Sequence, residues 1–172
     1  MTLQAITVLG HDRPGIIADT TRILADLGLN LEDSTMTLLR GHFAMTLICA
    51  GGTASPDVEA ALAPLTADGT LTVAVREVPE EAGHEAVGAS YVLTVHGGDR
   101  AGIVSRVAGE VAGVGGNITD LTTRLAGDLY LLVAEVDLPA AADVDALQES
   151  LRTAAADLGV GVTLREVESD DL

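Results

Sequence analysis

The sequence predicts an α+β protein built from two ferredoxin-like βαββαβ units, each a four-stranded antiparallel sheet carrying two helices on one face. Three observations predict it. The stretch "GHDRPGI" returns eighty-seven residues later as "GGDRAGI", and at that offset residues 12–38 match residues 99–125 at ten of twenty-seven positions. The apolar period then switches between strand-like and helix-like in the same order in both copies. Finally, 172 residues is room for two small domains, each near the lower limit of a self-sufficient core.

In the first copy, "TLQAITVL" at 2–9 is rich in β-formers and reads as a strand. Pro14 then suits the first turn of a helix, with Asp12 or Arg13 at the cap position. Ile17, Thr20, Thr21, Leu24 and Leu27 recur at helical spacing as its buried face, and Gly28 supplies a left-handed stop. Strands are expected at 29–39 and 42–50, a second helix at 55–66 with Ser55 as cap and Pro56 at the first helical position, and a last strand at 70–78. The second copy repeats the order: strand 90–96, helix 101–114, strands 117–126 and 128–137, helix 141–157 and strand 161–168. The closing strands carry "VREV" and "LREV". Domain 1 is therefore placed at 1–79 and domain 2 at 89–168, joined by 80–88 within "PEEAGHEAVGA", a stretch of linker composition, with an acidic tail at 169–172.

Composition narrows the function classes. No apolar run approaches the roughly 18–20 residues of a membrane span and no basic-then-apolar leader opens the chain, so a soluble cytoplasmic protein without a membrane partner is expected. All nine basic residues are arginine, twenty-six carboxylates leave a net charge of −17, and no two arginines adjoin. Direct nucleic-acid binding needs a basic stripe and is disfavoured. The acidity is spread, −5 over residues 1–79 and −9 over 89–172, and reads as a solvated surface. The single cysteine, Cys49, sits in the apolar run "FAMTLICA" and reads as a core thiol, so no disulfide framework exists within one chain.

The duplicated loop carries the chemistry. A strand ending at Gly10 lets the backbone turn closely, and the following helix offers the N–H groups of Gly15, Ile16 and Ile17 to an anion such as a carboxylate. Gly15 has no side chain to obstruct an approaching ligand, and Asn30 at the head of the next strand offers a neutral donor and acceptor that suits a zwitterion. Each residue also has a plainer role. Asp12 and Asp99 serve as helix caps, Arg13 and Arg100 as solvated charges, and Asn30 and Asn117 as turn residues after Gly28 and Gly115.

These residues, "GHDRPGI" with "LGLNLED" and "GGDRAGI" with "VGGNITD", resemble the ACT domain, a ligand-sensing module of amino-acid metabolism, and the likeness covers nearly the whole chain twice. The tandem layout is similar to stand-alone ACT repeat proteins of the glycine cleavage system transcriptional repressor family. The resemblance implies an effector site where this loop and the start of the following strand meet at a domain interface. Carried onto this chain, the ligand-binding set is His11, Asp12, Arg13, Gly15, Ile16, Asn30 and Leu31, with Asp99, Arg100, Gly102, Ile103, Asn117 and Ile118 in the second copy. It implies a non-catalytic regulator that binds an amino acid such as glycine or serine and alters association with a regulatory protein partner. The second copy departs at Ala101, where the first has Pro14, so its helix start is less rigid and equal affinity is not expected.

Other chemistries find less support. His11 and His96 occupy different repeat positions and no HxxxH or CxxC accompanies them, so neither metal nor other cofactor is expected. No GxSxG or glycine-rich P-loop occurs. An acylphosphatase-like enzyme shares the fold and uses a loop arginine with an asparagine, but its glycine-rich loop is missing. An RRM needs stacking aromatics, and only Phe43, Tyr91 and Tyr130 are present. A ligand-independent interaction module is the remaining alternative. For assembly, pairing the second strands of two units would make an eight-stranded sheet with both loops at the seam. The connector would then cross on the order of 29 Å with ~36–40 Å of reach, a tight span. Otherwise the same seam forms between chains as a homodimer.

Overall fold

A computed structural model describes residues 2–79 and 87–167. The chain divides into two compact units, residues 1–82 and 83–172. Unit 1 contains β1 (Thr2–His11), α1 (Ile16–Asp26), β2 (Asn30–Leu39), β3 (His42–Gly51), α2 (Ser55–Leu62) continued by a 3₁₀ turn (Ala63–Thr66), and β4 (Leu71–Val78). Its antiparallel sheet has the order β2-β3-β1-β4. Unit 2 contains β5 (Val87–Gly98), α3 (Ile103–Gly113), β6 (Asn117–Ala126), β7 (Leu129–Pro139), α4 (Val144–Leu158) and β8 (Val160–Glu166), with the sheet order β6-β7-β5-β8. The predicted βαββαβ order holds in both.

Alternation along the strands decides which sheet face is covered. In unit 1, Ile6, Val8, Phe43, Met45, Leu47 and Cys49 point to the helices and pack with Ile16, Leu24, Val58 and Leu62. Leu93, Val95, Leu132, Ala134 and Val136 do the same in unit 2 against Ile103, Val107, Leu147 and Leu151. Thr20 fits the buried face of α1 because its Oγ1 donates to Ile16 O at 2.7 Å, satisfying the hydroxyl within the helix. The buried face is Ile16, Thr20 and Leu24. Ile17, expected on it, is 46% exposed: burial centres on Ile16, Thr20 and Leu24, with Ile23 and Leu27 packed beside them, which leaves Ile17 at the margin of the stripe.

Helix ends hold the other departures. The expected caps Asp12 and Asp99 do not cap: the N-cap residues are Gly15 and Gly102, without a side-chain cap bond, and Pro14 lies outside the helix rather than in its first turn. Ser55 is the first residue of α2 and Ala54 its cap position, so Pro56 moves to the second helical residue. Among the described residues only α4 has a side-chain cap, Asp143, whose Oδ1 accepts from the Ala146 amide at 2.9 Å. The stop at Gly28 (φ 71°) is as expected: the Leu29 amide donates to Leu24 O at 3.0 Å, and the buried Leu29 closes the motif. Gly115 (φ 75°) repeats it in unit 2, where the Gly116 amide donates to Val111 O at 3.0 Å. In the connector, β5 begins at Val87, which makes Val87 and Gly88 strand residues; 80–86 and the acidic tail 169–172 lie outside the described residues.

Candidate functional site

The duplicated loop has the same backbone twice. Gly15 and Gly102 stand at φ 93° and 92°, a left-handed conformation that disfavours a side chain, and each carbonyl accepts the first helical bond at 2.9 Å, from Asp19 and Arg106 respectively. Ahead of them, Gly10 and Gly97 press against the start of the last strand. A Cβ on Gly10 would stand 2.0 Å from Thr70 O, the same carbonyl that accepts the His11 amide at 3.0 Å. A Cβ on Gly97 would meet Val160 at 2.8 Å. The close turn expected at Gly10 is thus the backbone contact that holds each loop over the head of β4 or β8. The first turns of α1 and α3 that follow have no side-chain cap, so each helix begins on a polar end of the kind that favours negative charge.

The arginines turn back on the same junction. Arg13 is half-buried and its Nε has no partner among the described residues. Opposite it, Asp68 holds the loop before β4, accepting the Thr70 amide at 2.9 Å and the Thr70 hydroxyl at 2.7 Å. Those bonds, with a smaller contribution from the Arg13 charge, hold the Asp68 carboxyl below its ordinary value. In unit 2 the Arg100 guanidinium lies 3.6 Å from where a Cβ on Gly159 would stand, over the loop before β8. Asp12 and Asp99 are exposed beside them.

Asn30 and Asn117 open β2 and β6, as expected, but lie at the far end of their sheets from the loops. Asn30 pairs with Ala50, which also pairs with Leu3, whereas the loop leaves the sheet beyond Gly10. Seven strand residues separate the two levels, roughly 23 Å. Within one unit, His11, Asp12, Arg13, Gly15 and Ile16 therefore come together, and Asn30 and Leu31 form a separate group; Asp99, Arg100, Gly102 and Ile103 stand apart from Asn117 and Ile118 in the same way. Leu31 is exposed on the sheet edge, and Ile118 packs partly on the core.

Two features escaped sequence reasoning. Register slips by one residue in both edge strands, between Leu31 and Asp33 and between Ile118 and Asp120, which makes Glu32 and Thr119 repeat-equivalent β-bulges beside the asparagines. A signal was present in the identity of Asp33 and Asp120 at the offset of the repeat, without a local pattern to explain it. The second is a cross-strand contact of His11 with His42, rings 5.5 Å apart, invisible because the partners are distant in sequence. Cys49 is fully buried, and burial, with the Glu32 charge, pushes its thiol up from the ordinary value, as fits a core thiol and not a nucleophile. Among the described residues no group of three or more His, Cys, Asp or Glu is placed to hold a metal, and no helix is long and apolar enough to cross a membrane.

Comparison with known proteins follows the same division into two units. The ACT domain family model matches residues 3–76 and again 90–165. A UPF0237 protein of Methanopyrus kandleri is 46% identical over 48 residues, 28% of this chain and 53% of that protein. The chain spans about half the length of the first such relatives it matches. The glycine cleavage system transcriptional repressor of Escherichia coli is 41% identical over 46 residues, 27% of this chain and 24% of the repressor. Among solved structures, an unknown protein from Galdieria sulphuraria superposes with a TM-score of 0.81 at 27% identity, covering 97% of this chain and 99% of that one. A putative glycine cleavage system transcriptional repressor superposes at 0.71 with 18% identity over 98% of each chain, a likeness of fold.

Proposed function

Because the chain belongs to the ACT domain family, with two domains in tandem and a resemblance to the glycine cleavage system repressor, we propose that it is a non-catalytic sensor. In this reading an amino acid such as glycine or serine binds between ACT domains and alters association with a regulatory protein partner. The family and its repressor-like relative support a small-ligand-sensing regulatory role.

The observation that carries the finer reading is the separation of the two residue groups within each unit. A loop that offers uncapped amides and an asparagine roughly 23 Å away cannot close on one small molecule. Two antiparallel copies side by side along β2, however, bring the loop of one to the asparagine of the other. The ligand carboxylate then receives the amides at Gly15 and Ile16, Asn30 of the second unit orients the ammonium, and the buried Arg13 Nε gains an acceptor it lacks. Unit 2 offers Gly102, Ile103 and Asn117 in the same roles. A homodimer supplies such a seam if one chain does not.

A thermal-shift screen of the twenty amino acids tests this. A ligand at a hundredfold its dissociation constant adds about 2.7 kcal/mol to stability. No shift with any of them would favour a ligand-independent interaction module. No turnover of an acyl phosphate is expected; hydrolysis lost in Arg13→Ala would overturn the non-catalytic assignment.

A further inference from the structure

We propose that His11 and His42 form a two-imidazole chelate for a divalent first-row transition ion, present in unit 1 only. His11 ends β1 and His42 begins β3, and the two are direct partners in the ladder. The Asp12 amide donates to Gly41 O at 3.1 Å, one residue outside the pair on both strands. That bond makes His11 and His42 a non-hydrogen-bonded pair, the register in which facing side chains stand closest. Their ring centroids are 5.5 Å apart with the planes at 71°. With metal–nitrogen bonds of about 2.0–2.1 Å, two imidazoles on one ion hold their centroids about 4.5–5.5 Å apart, so the observed spacing needs little adjustment.

The backbone beneath the pair is fixed on both sides. Arg40 and Gly41, at φ 51° and 83°, make a two-residue turn that sets the start of β3, and Thr70 O holds the His11 amide. Both rings are exposed, and they stand on the face turned from the helices, since Gly10 between them and the core pairs with the buried Phe43 and Leu71. Leu9 and Leu39, 53% and 49% exposed, flank them on that face. No third His, Cys, Asp or Glu joins them among the described residues, so the ion's remaining positions stay open to water or a small chelating molecule. Unit 2 has Gly98 and Leu129 at the equivalent ladder positions and therefore no such pair. Imidazole ligands select Cu²⁺, Ni²⁺ and Zn²⁺, whereas Mg²⁺ seeks oxygen.

The inference stands independently of amino-acid binding, and Cu²⁺ alone tests it. The full chain is titrated calorimetrically and by electron paramagnetic resonance in excess Mg²⁺, which occupies the surface carboxylates. One tight Cu²⁺ per chain with two nitrogen ligands is expected. His11→Asn and His42→Asn should each weaken binding at least tenfold and remove a nitrogen from the spectrum, while His96→Asn should change neither. Unfolding midpoints of the variants verify that they fold, as exposed rings predict. Unaltered binding in both single variants, or Cu²⁺ held only by oxygen ligands that Mg²⁺ displaces, would overturn the proposal.

Discussion

Gly15 and Gly102 start their helices within a degree of each other in φ, yet the two loops stand in different surroundings. The first contains Pro14, presses its strand end onto the Thr70 backbone, and packs its arginine toward a carboxylate. The second contains Ala101, meets Val160 through its side chain and Cα at a longer distance, and lays its arginine over Gly159. The repeat therefore preserves what the backbone must do and leaves the supporting contacts free to diverge. A shared φ at the N-cap is a requirement on geometry; whether the loop is rigid depends on neighbours that differ. The first loop should consequently be better ordered and its site tighter, which calorimetry would resolve as two unequal affinities.

The largest test of this contrast is steric. Gly10→Ala places a methyl against a backbone carbonyl that cannot rotate away, so unit 1 should lose about 3 kcal/mol or more. Gly97→Ala meets Val160 less closely, at 2.8 Å from its Cγ1 and 3.0 Å from its Cα against 2.0 Å at Gly10, and unit 2 should lose less, about 1–3 kcal/mol. Urea unfolding measures both, and Cys49 makes unit 1 separately visible. Its buried, raised-pKa thiol should resist alkylation at neutral pH until that unit opens. Equal losses in the two variants would erase the distinction between the loops.

Next in size is the feature the loops share. Gly15→Val and Gly102→Val should each cost about 1–3 kcal/mol from the left-handed φ, although neither Cβ meets a close neighbour. Sequence reasoning alone expects valine at Gly15 to weaken ligand binding without unfolding the protein. The backbone conformation makes that variant a stability probe as well, so Gly15→Asn, which tolerates this conformation, is the cleaner test of binding. Between the second helices the comparison is of caps. Asp143→Ala should destabilise by about 1 kcal/mol, while Ala54→Asp, at an extended cap position with no side-chain acceptor, should stabilise by about 0.5–2 kcal/mol.

The smaller effects concern the proposed site. Asn30→Ala and Asn117→Ala, both exposed, should leave stability within about 0.5 kcal/mol. Each should weaken an amino-acid ligand by about 0.5–1.5 kcal/mol per hydrogen bond lost. Unchanged calorimetric binding in both would remove the strand ends from the site. Smallest of all, Ala101→Pro should stabilise unit 2 by about 0.4–1 kcal/mol and bring its affinity toward that of unit 1. A pair of affinities that stays as far apart would trace the asymmetry to Arg100 and Val160 instead.

Much of this architecture was determined by local sequence. Alternation of apolar residues set the strand faces, Gly28 and Gly115 set the helix stops, and the offset of 87 set the duplication, because each depends on short-range geometry that neighbouring residues impose. Helix starts were less legible. Asp12 and Pro14 are good local signals for a cap and a first turn, but contact of the loop with the head of β4 moves the helix start to Gly15. The bulges at Glu32 and Thr119 arise from pairing between strands, and no single strand encodes its own register. The sequence likewise names Asn30 and Gly15 as candidates for one site. Only the tertiary structure puts them at opposite ends of a sheet, since β2 begins where α1 has carried the chain back along the full length of β1. Pairing of His11 with His42 was decided there too: strand register brings together residues that sequence distance keeps apart.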